Sequence, residues 1–290
     1  MKKKAFIYIV LAGILWGTSG IFFNVLQRLG FSAVQMSAMR GGVSGIVMLI
    51  YAFFNRKLFK VTLKEFIIFA FSGLSVFGTA ASYYAAIGFS NVSTAVILMY
   101  TAPVFVMIYS VAFLGEKLNL PKIISVILMI IGCALVSGVI GGVKFSFLGV
   151  ALGLLSGVSY SAYNIFTKIE MMHNSNSASA TLYCFLVMGT IAFFASNPKQ
   201  MAELTMMCPG KTVPLIIGIG IVTCVLPYFL YTLALRDIPA GTASALGIIE
   251  PMAATVFSVV FLNEKLSVFS VCGIILILVA VVILNRNPEE

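Results

Sequence analysis

The sequence predicts an all-α integral membrane protein of ten transmembrane helices, built as two inverted five-helix repeats. Three observations predict it: too little charge for a water-facing globule, ten apolar runs of membrane-spanning length, and a second half that echoes the first. Charged residues make up 9% of the chain against 61% hydrophobic ones, and the mean hydropathy is +1.10. A soluble domain carries roughly 25% charged residues, because something must face water. Most of this surface must face lipid.

A helix crosses the hydrocarbon core with about 20 apolar residues. Such runs occupy Ala5–Gln27, Ala33–Phe54, Glu65–Phe89, Val92–Leu114 and Leu120–Ile140 in the first half. In the second half they occupy Phe147–Lys168, Ser177–Ala195, Thr212–Leu235, Ala240–Leu262 and Val268–Leu284. The first run follows Lys2, Lys3 and Lys4 as a signal peptide would, but no clear cleavage pattern comes after it. It reads as a retained span. The longest polar interruptions, around Asn55–Lys64 and Ser196–Lys211, are too short for a soluble domain.

An even number of spans places both termini on one side. With the termini inside, the cytoplasmic positives are Lys2, Lys3, Lys4, Arg56, Lys57, Lys60, Lys64, Lys117, Lys122, Lys168, Arg236 and Arg286. The other side receives Arg28, Lys144, Lys199, Lys211 and Lys265, while Arg40 falls inside a span. The excess of 12 over 5 predicts cytoplasmic N- and C-termini by the positive-inside rule. The net charge of +9 therefore sets topology and meets lipid headgroups, with no nucleic-acid partner expected. Five scattered cysteines (Cys133, Cys184, Cys208, Cys224, Cys272) and a single loop histidine, His173, predict neither a metal site nor a disulfide framework, and no cofactor is expected.

The halves, residues 1–144 and 145–290, form one integrated membrane domain. At a shift of 148 residues, Tyr83–Leu118 matches Tyr231–Leu266 at thirteen of thirty-six positions. The matches include Pro103 with Pro251 and Glu116-Lys117-Leu118 with Glu264-Lys265-Leu266. The first spans match at a shift of 140: Gly13 with Gly153, Gly17 with Gly157, Ser19 with Ser159 and Asn24 with Asn164. Composition bias does not readily place a proline and a Glu-Lys-Leu in register. Five spans per repeat is odd, so the second repeat must enter the membrane upside down, as in many secondary transporters.

Trp16-Gly17 in a Gly-rich first span, the stretch from Pro103 to Glu116-Lys117-Leu118, and its echo from Glu250-Pro251 to Glu264-Lys265-Leu266 resemble the drug/metabolite transporter superfamily, EamA type. The resemblance covers essentially the whole chain. It implies a transporter, often an exporter, of amino acids or other small metabolites, and a bacterial inner membrane suits it. It leaves substrate, direction, coupling ion and oligomeric state open.

Several residues have the chemistry for solute handling. Glu250 alone among the acids falls deep in a span; the other eight fall at span ends, in loops or at the terminus. A charge near mid-bilayer costs at least about 2.5 kcal/mol, so Glu250 must be protonated, paired or hydrated. It is either a coupling residue or a helix–helix hydrogen-bonding group. Arg40 needs an anion, carbonyls or water, and a pair with Glu250 or a substrate carboxylate would serve. Pro103 and Pro251 free the carbonyls of Met99 and Gly247, giving kinks that are hinges beside a cavity or plain structural bends.

Ser72, Ser75, Thr79, Ser82 and Tyr83 share one helical face, as do Ser156, Ser159, Tyr160, Tyr163 and Thr167. With Trp16, Ser19, Tyr100, Asn164, Tyr228 and Tyr231, these stripes supply an aromatic, lightly charged lining suited to a small zwitterionic or partly apolar solute. Plain packing is the competing role of each. Gly13-xxx-Gly17 and Gly153-xxx-Gly157 predict close helix seams. Two other functional classes remain open, a membrane-embedded enzyme and a channel-like pore. One buried glutamate and one loop histidine fall short of a catalytic constellation.

Overall fold

The computed structural model describes residues 2–90, 92–136, 146–173, 175–262 and 267–286. All regular structure among the described residues is helical. Glu264, Lys265, Leu266 and the junction between the halves lie outside them.

The chain opens with α1 (Lys2–Gly17) and α2 (Ser19–Arg28), which together fill the first apolar run. Thr18 separates them, its hydroxyl donating to the Leu15 carbonyl at 2.7 Å. Helix α3 (Ala33–Phe54) starts at a capping box in which Ser32 and Gln35 satisfy each other's backbone N–H. Helix α4 (Leu63–Phe89) starts the same way, with Thr62 and Glu65. Glu65, which the hydropathy places first in the span, is thus the third residue of the helix.

The fourth apolar run is two helices, α5 (Val92–Met99) and α6 (Ala102–Phe113), broken at Tyr100-Thr101 just before Pro103. Helix α7 (Leu120–Val136) follows, then α8 (Phe147–Met172) and α9 (Ser177–Ala195). Helix α8 runs four residues past the expected end at Lys168 and carries Glu170 inside it. The polar interruption after α9 contains a helix of its own, α10 (Pro198–Met207), started by Asn197 accepting from the Gln200 N–H.

Helices α11 (Pro209–Gly220) and α12 (Leu226–Ala234) are joined by a π-helical turn, Ile221–Val225. The ninth run is again two helices, α13 (Ala240–Leu246) and α14 (Ile249–Leu262), and α15 (Val268–Arg286) ends the described chain. The short helices α5 and α13 begin at Val92 and Ala240, at the offset of 148 that aligns the sequences. Each break sits where a following proline withdraws an N–H.

Among the described residues, eight helices or helix pairs are long and apolar enough to cross a membrane, and the apolar helices Leu120–Val136 and Val268–Leu284 are shorter. Large apolar side chains are exposed along the outside of the helices, with Phe54, Phe147 and Phe194 each at least 80% exposed. In water such a surface would aggregate; in lipid it is solvated.

Packing runs across the halves. Helix α4 packs most extensively on α8, and α1 on α12; α5 and α6 also pack on α8, and α14 on α1. Helix α3 packs on α9, and α7 on α15. Each of these seams joins the first half to the second. Glycine permits the closest of them. A Cβ on Gly41 would lie 2.7 Å from the Gly189 Cα, and one on Gly17 would lie 2.6 Å from the Ala253 Cβ.

Candidate functional site

One end of the bundle is tied across the halves. The Glu116 carboxylate accepts the N–H of Ala240 at 2.6 Å and of Gly241 at 3.3 Å, capping α13 from the end of α6. Lys122 on α7 pairs with the same carboxylate at 3.3 Å, both side chains being buried. Lys168 donates to the carbonyls of Leu235 and Ile238, each at 2.9 Å, closing the C-terminus of α12. Arg236 donates to the Ser175 carbonyl at 3.0 Å, and Ser175 donates to Glu65 at 2.9 Å. A carboxylate at a helix N-terminus and ammonium groups at a C-terminus both suit the helix dipole.

The deep polar residues sit between this end and the other. Glu250 follows Ala240 by ten residues, about 15 Å of helix rise. Arg40 follows the opposite end's Ala33 by seven residues, about 10 Å of rise. Among the described residues no ion pair joins them, although they are close enough for electrostatic attraction. Arg40 donates through Nη2 to the Thr223 carbonyl at 3.2 Å and through Nε to the Cys224 sulfur at 3.3 Å. Its guanidinium also stands 6.0 Å over the Phe23 ring.

Thr223 is available because Pro227, four residues later, has no N–H to give it. The π-helical turn between them widens the helix at that point. Glu250, beside the break before Pro251, bonds with the Tyr100 hydroxyl at the matching break in the other half. Tyr83, Tyr84 and Tyr160 lie within electrostatic reach of the same carboxyl. Arg40, Tyr83, Tyr84, Tyr228 and Glu250 are all half-buried, and their mutual electrostatic contacts group them in one region of the bundle.

A packed aromatic layer adjoins that region. The Trp16 ring meets Tyr228 edge-on at 5.1 Å and Tyr231 at 5.4 Å. Tyr163 stands 5.3 Å from Tyr228 and stacks on Tyr160 at 6.5 Å. Asn164 donates to the Tyr160 carbonyl at 2.6 Å and accepts from the buried Tyr231 hydroxyl. Among the described residues, buried Trp16 Nε1 has no hydrogen-bond partner, which leaves one donor of this layer open to a ligand.

The sequence-derived candidates therefore separate into groups. Arg40, Tyr83, Tyr100, Tyr160, Tyr228 and Glu250 come together, with Trp16, Tyr163, Asn164 and Tyr231 packed behind them. Thr79 satisfies its hydroxyl within its own helix, on the Ser75 carbonyl at 2.8 Å, and Ser19 is half-buried at the start of α2. Pro103 and Pro251 stand just after the two helix breaks. Tyr84, Thr223 and Cys224 belong to the group and carry no periodic signal that marks them. Glu170, expected at a span end, is buried at 2% exposure and bonded to Ser72 at 2.9 Å. Among the described residues no three His, Cys, Asp or Glu side chains cluster as metal ligands would.

The sequence profile of the EamA-like transporter family matches this chain twice, over residues 3–138 and 147–286. The chain belongs to the EamA-like transporter family. A protein of Clostridium kluyveri named an uncharacterized transporter is 24% identical over 293 residues, covering 97% of this chain and 93% of that one. The uncharacterized transporter YwfM of Bacillus subtilis is 21% identical, covering 98% and 94%. An uncharacterized transporter of Archaeoglobus fulgidus is 27% identical over 227 residues, covering 74% and 76%. A solved crystal structure overlays with a TM-score of 0.82 at 14% identity, covering 99% of this chain and 98% of that chain, a likeness of fold alone. This EamA-like protein is a multi-pass membrane transporter.

Proposed function

We propose that this EamA-like protein is a secondary carrier that exports a small metabolite, amino-acid-like in chemistry, across the cytoplasmic membrane by alternating access. The observation that carries the reading is the pair of opposite charges, Arg40 and Glu250, held near each other at mid-bundle without forming an ion pair. A zwitterion brings one charge for each. Its carboxylate meets the guanidinium, its ammonium meets the Glu250 carboxyl, and Tyr83, Tyr84, Tyr100 and Tyr228 flank an uncharged side chain.

The inverted-repeat arrangement supports the mechanism. Seams joining equivalent helices of opposite halves, and breaks at the same offset in α5–α6 and α13–α14, suit two halves that exchange conformations. We assign the end tied by Glu116, Lys122 and Ala240 to the cytoplasm, from the lysine and arginine bias. Those bonds tie that end across the two halves. The exchange opens it by releasing the cap on α13, and Pro103 and Pro251 are the bends about which the half-helices turn.

Thermal stability in detergent across a panel of amino acids and related metabolites tests the site. A cognate solute raises the unfolding midpoint of the wild-type protein and leaves the Arg40→Ala variant unchanged. Equal shifts in both proteins would remove Arg40 from the site.

A further inference from the structure

A second polar cavity lies toward the tied end, where α4, α8, α9 and α12 meet. Its volume is about 10 Å³, room for about one water-sized species. Its polar walls are Ser72, Tyr163, Thr167, Glu170, Thr181 and Thr232, each at most 3% exposed. Ser72 donates to Glu170 Oε1 at 2.9 Å. Thr181 donates to the Ser177 carbonyl at 2.8 Å, which leaves the lone pairs of its oxygen unused. The buried Tyr163 hydroxyl meets the Thr232 side chain at the same cavity.

Among the described residues, no basic side chain lines this cavity. The cations at this end turn to carbonyls instead: Lys168 to Leu235 and Ile238, Arg236 to Ser175. Glu65, the acid nearest in charge terms, is bound by Thr62 and Ser175. A buried carboxylate without a counter-charge is strongly disfavoured. Five hydroxyl oxygens and one carboxylate make a set of hard oxygen donors with a single formal negative charge. That charge matches a monovalent cation and is too low for a divalent one, whose oxygen cages use several carboxylates. A carboxylate is an oxygen donor of high field strength, which favours the smaller sodium ion over potassium.

We infer that Ser72, Tyr163, Thr167, Glu170, Thr181 and Thr232 form a sodium-ion site. The ion sits between the Glu170 carboxylate and the hydroxyls of three other helices, so it bridges α8 to α4, α9 and α12. This concerns ion binding and does not depend on which solute the carrier moves.

The test is binding of radiolabelled sodium to the purified full-length protein, with choline chloride holding ionic strength constant. The expected result is saturable binding that unlabelled sodium displaces and that potassium displaces at least ~10-fold less well, a difference of ~1.4 kcal/mol. Glu170→Gln and Thr232→Val should each weaken it by at least the same factor. Absence of saturable binding to the wild-type protein overturns the inference. So does undiminished binding in Glu170→Gln, or a carboxyl that responds to pH alone with sodium and choline equivalent. Should Glu170→Gln fail to remain monodisperse, wild-type binding and Thr232→Val decide.

Discussion

Arg40 donates to the carbonyl oxygen of Thr223 at 3.2 Å, and that oxygen is the one Pro227 leaves without a helical N–H. The proline and the arginine are thus two parts of one device. Pro227 opens a backbone acceptor at mid-bundle, and the acceptor holds the guanidinium without neutralising its charge. An arginine satisfied by carbonyl oxygen and sulfur remains positive.

Pro227→Ala should close that acceptor. Alanine restores the N–H, the π-helical turn can relax toward a regular helix, and Arg40 loses its Thr223 partner. Since proline costs about 3 kcal/mol in a helix interior, the thermal midpoint should stay level or rise while solute flux falls. A falling midpoint with unchanged flux would mean that Pro227 serves packing alone.

Glu250→Gln should fold and remain monodisperse, because glutamine keeps the size and hydrogen-bonding capacity of the side chain beside Tyr100. It removes the titration. Flux measured across a pH series should lose its pH dependence in the variant, while solute binding can persist. Wild-type rate and wild-type pH dependence in the variant would make Glu250 structural.

Glu116→Ala should remove the buried ion pair with Lys122 and uncap α13. Breaking a buried pair by removing one partner typically costs about 3–5 kcal/mol. Hydrogen exchange should report it as faster exchange at Ala240 and Gly241 than elsewhere in α13 and α14. Replacing Glu116 and Lys122 together by leucines should recover part of the stability but not the cap.

The close seams predict a contrast between adjacent glycines. Gly41→Val places atoms against the Gly189 backbone, and overpacking of this kind costs about 1–3 kcal/mol. Gly42→Ala meets nothing within 4 Å. The first should lower the thermal midpoint in detergent and the second should not.

Much of the fold was legible because lipid imposes one simple rule, about 20 apolar residues per crossing. The helix breaks before Pro103 and Pro251 were legible for the same local reason, a missing N–H. That rule applied to Pro227 points to the Thr223 carbonyl, yet which side chain takes it was not readable: Arg40 lies 183 residues away. Glu170 does fall at the end of its span, but its burial was not legible, because the apolar run stops at Lys168 whereas α8 continues to Met172 with Glu170 buried in its last turn. Hydropathy reports contact with lipid, and a polar helix end buried in protein looks the same as a loop. Tyr84 was passed over beside Tyr83 because a stripe assigns one face, while the centre of a bundle is bordered by more than one face of α4.

Solute counterflow in proteoliposomes tests the carrier reading most directly. Vesicles loaded with an unlabelled candidate solute and diluted into labelled solute should show transient uptake above equilibrium, saturable and abolished by Arg40→Ala. Non-saturable flux without overshoot across the whole amino-acid and metabolite panel would contradict a carrier and favour a channel-like pore.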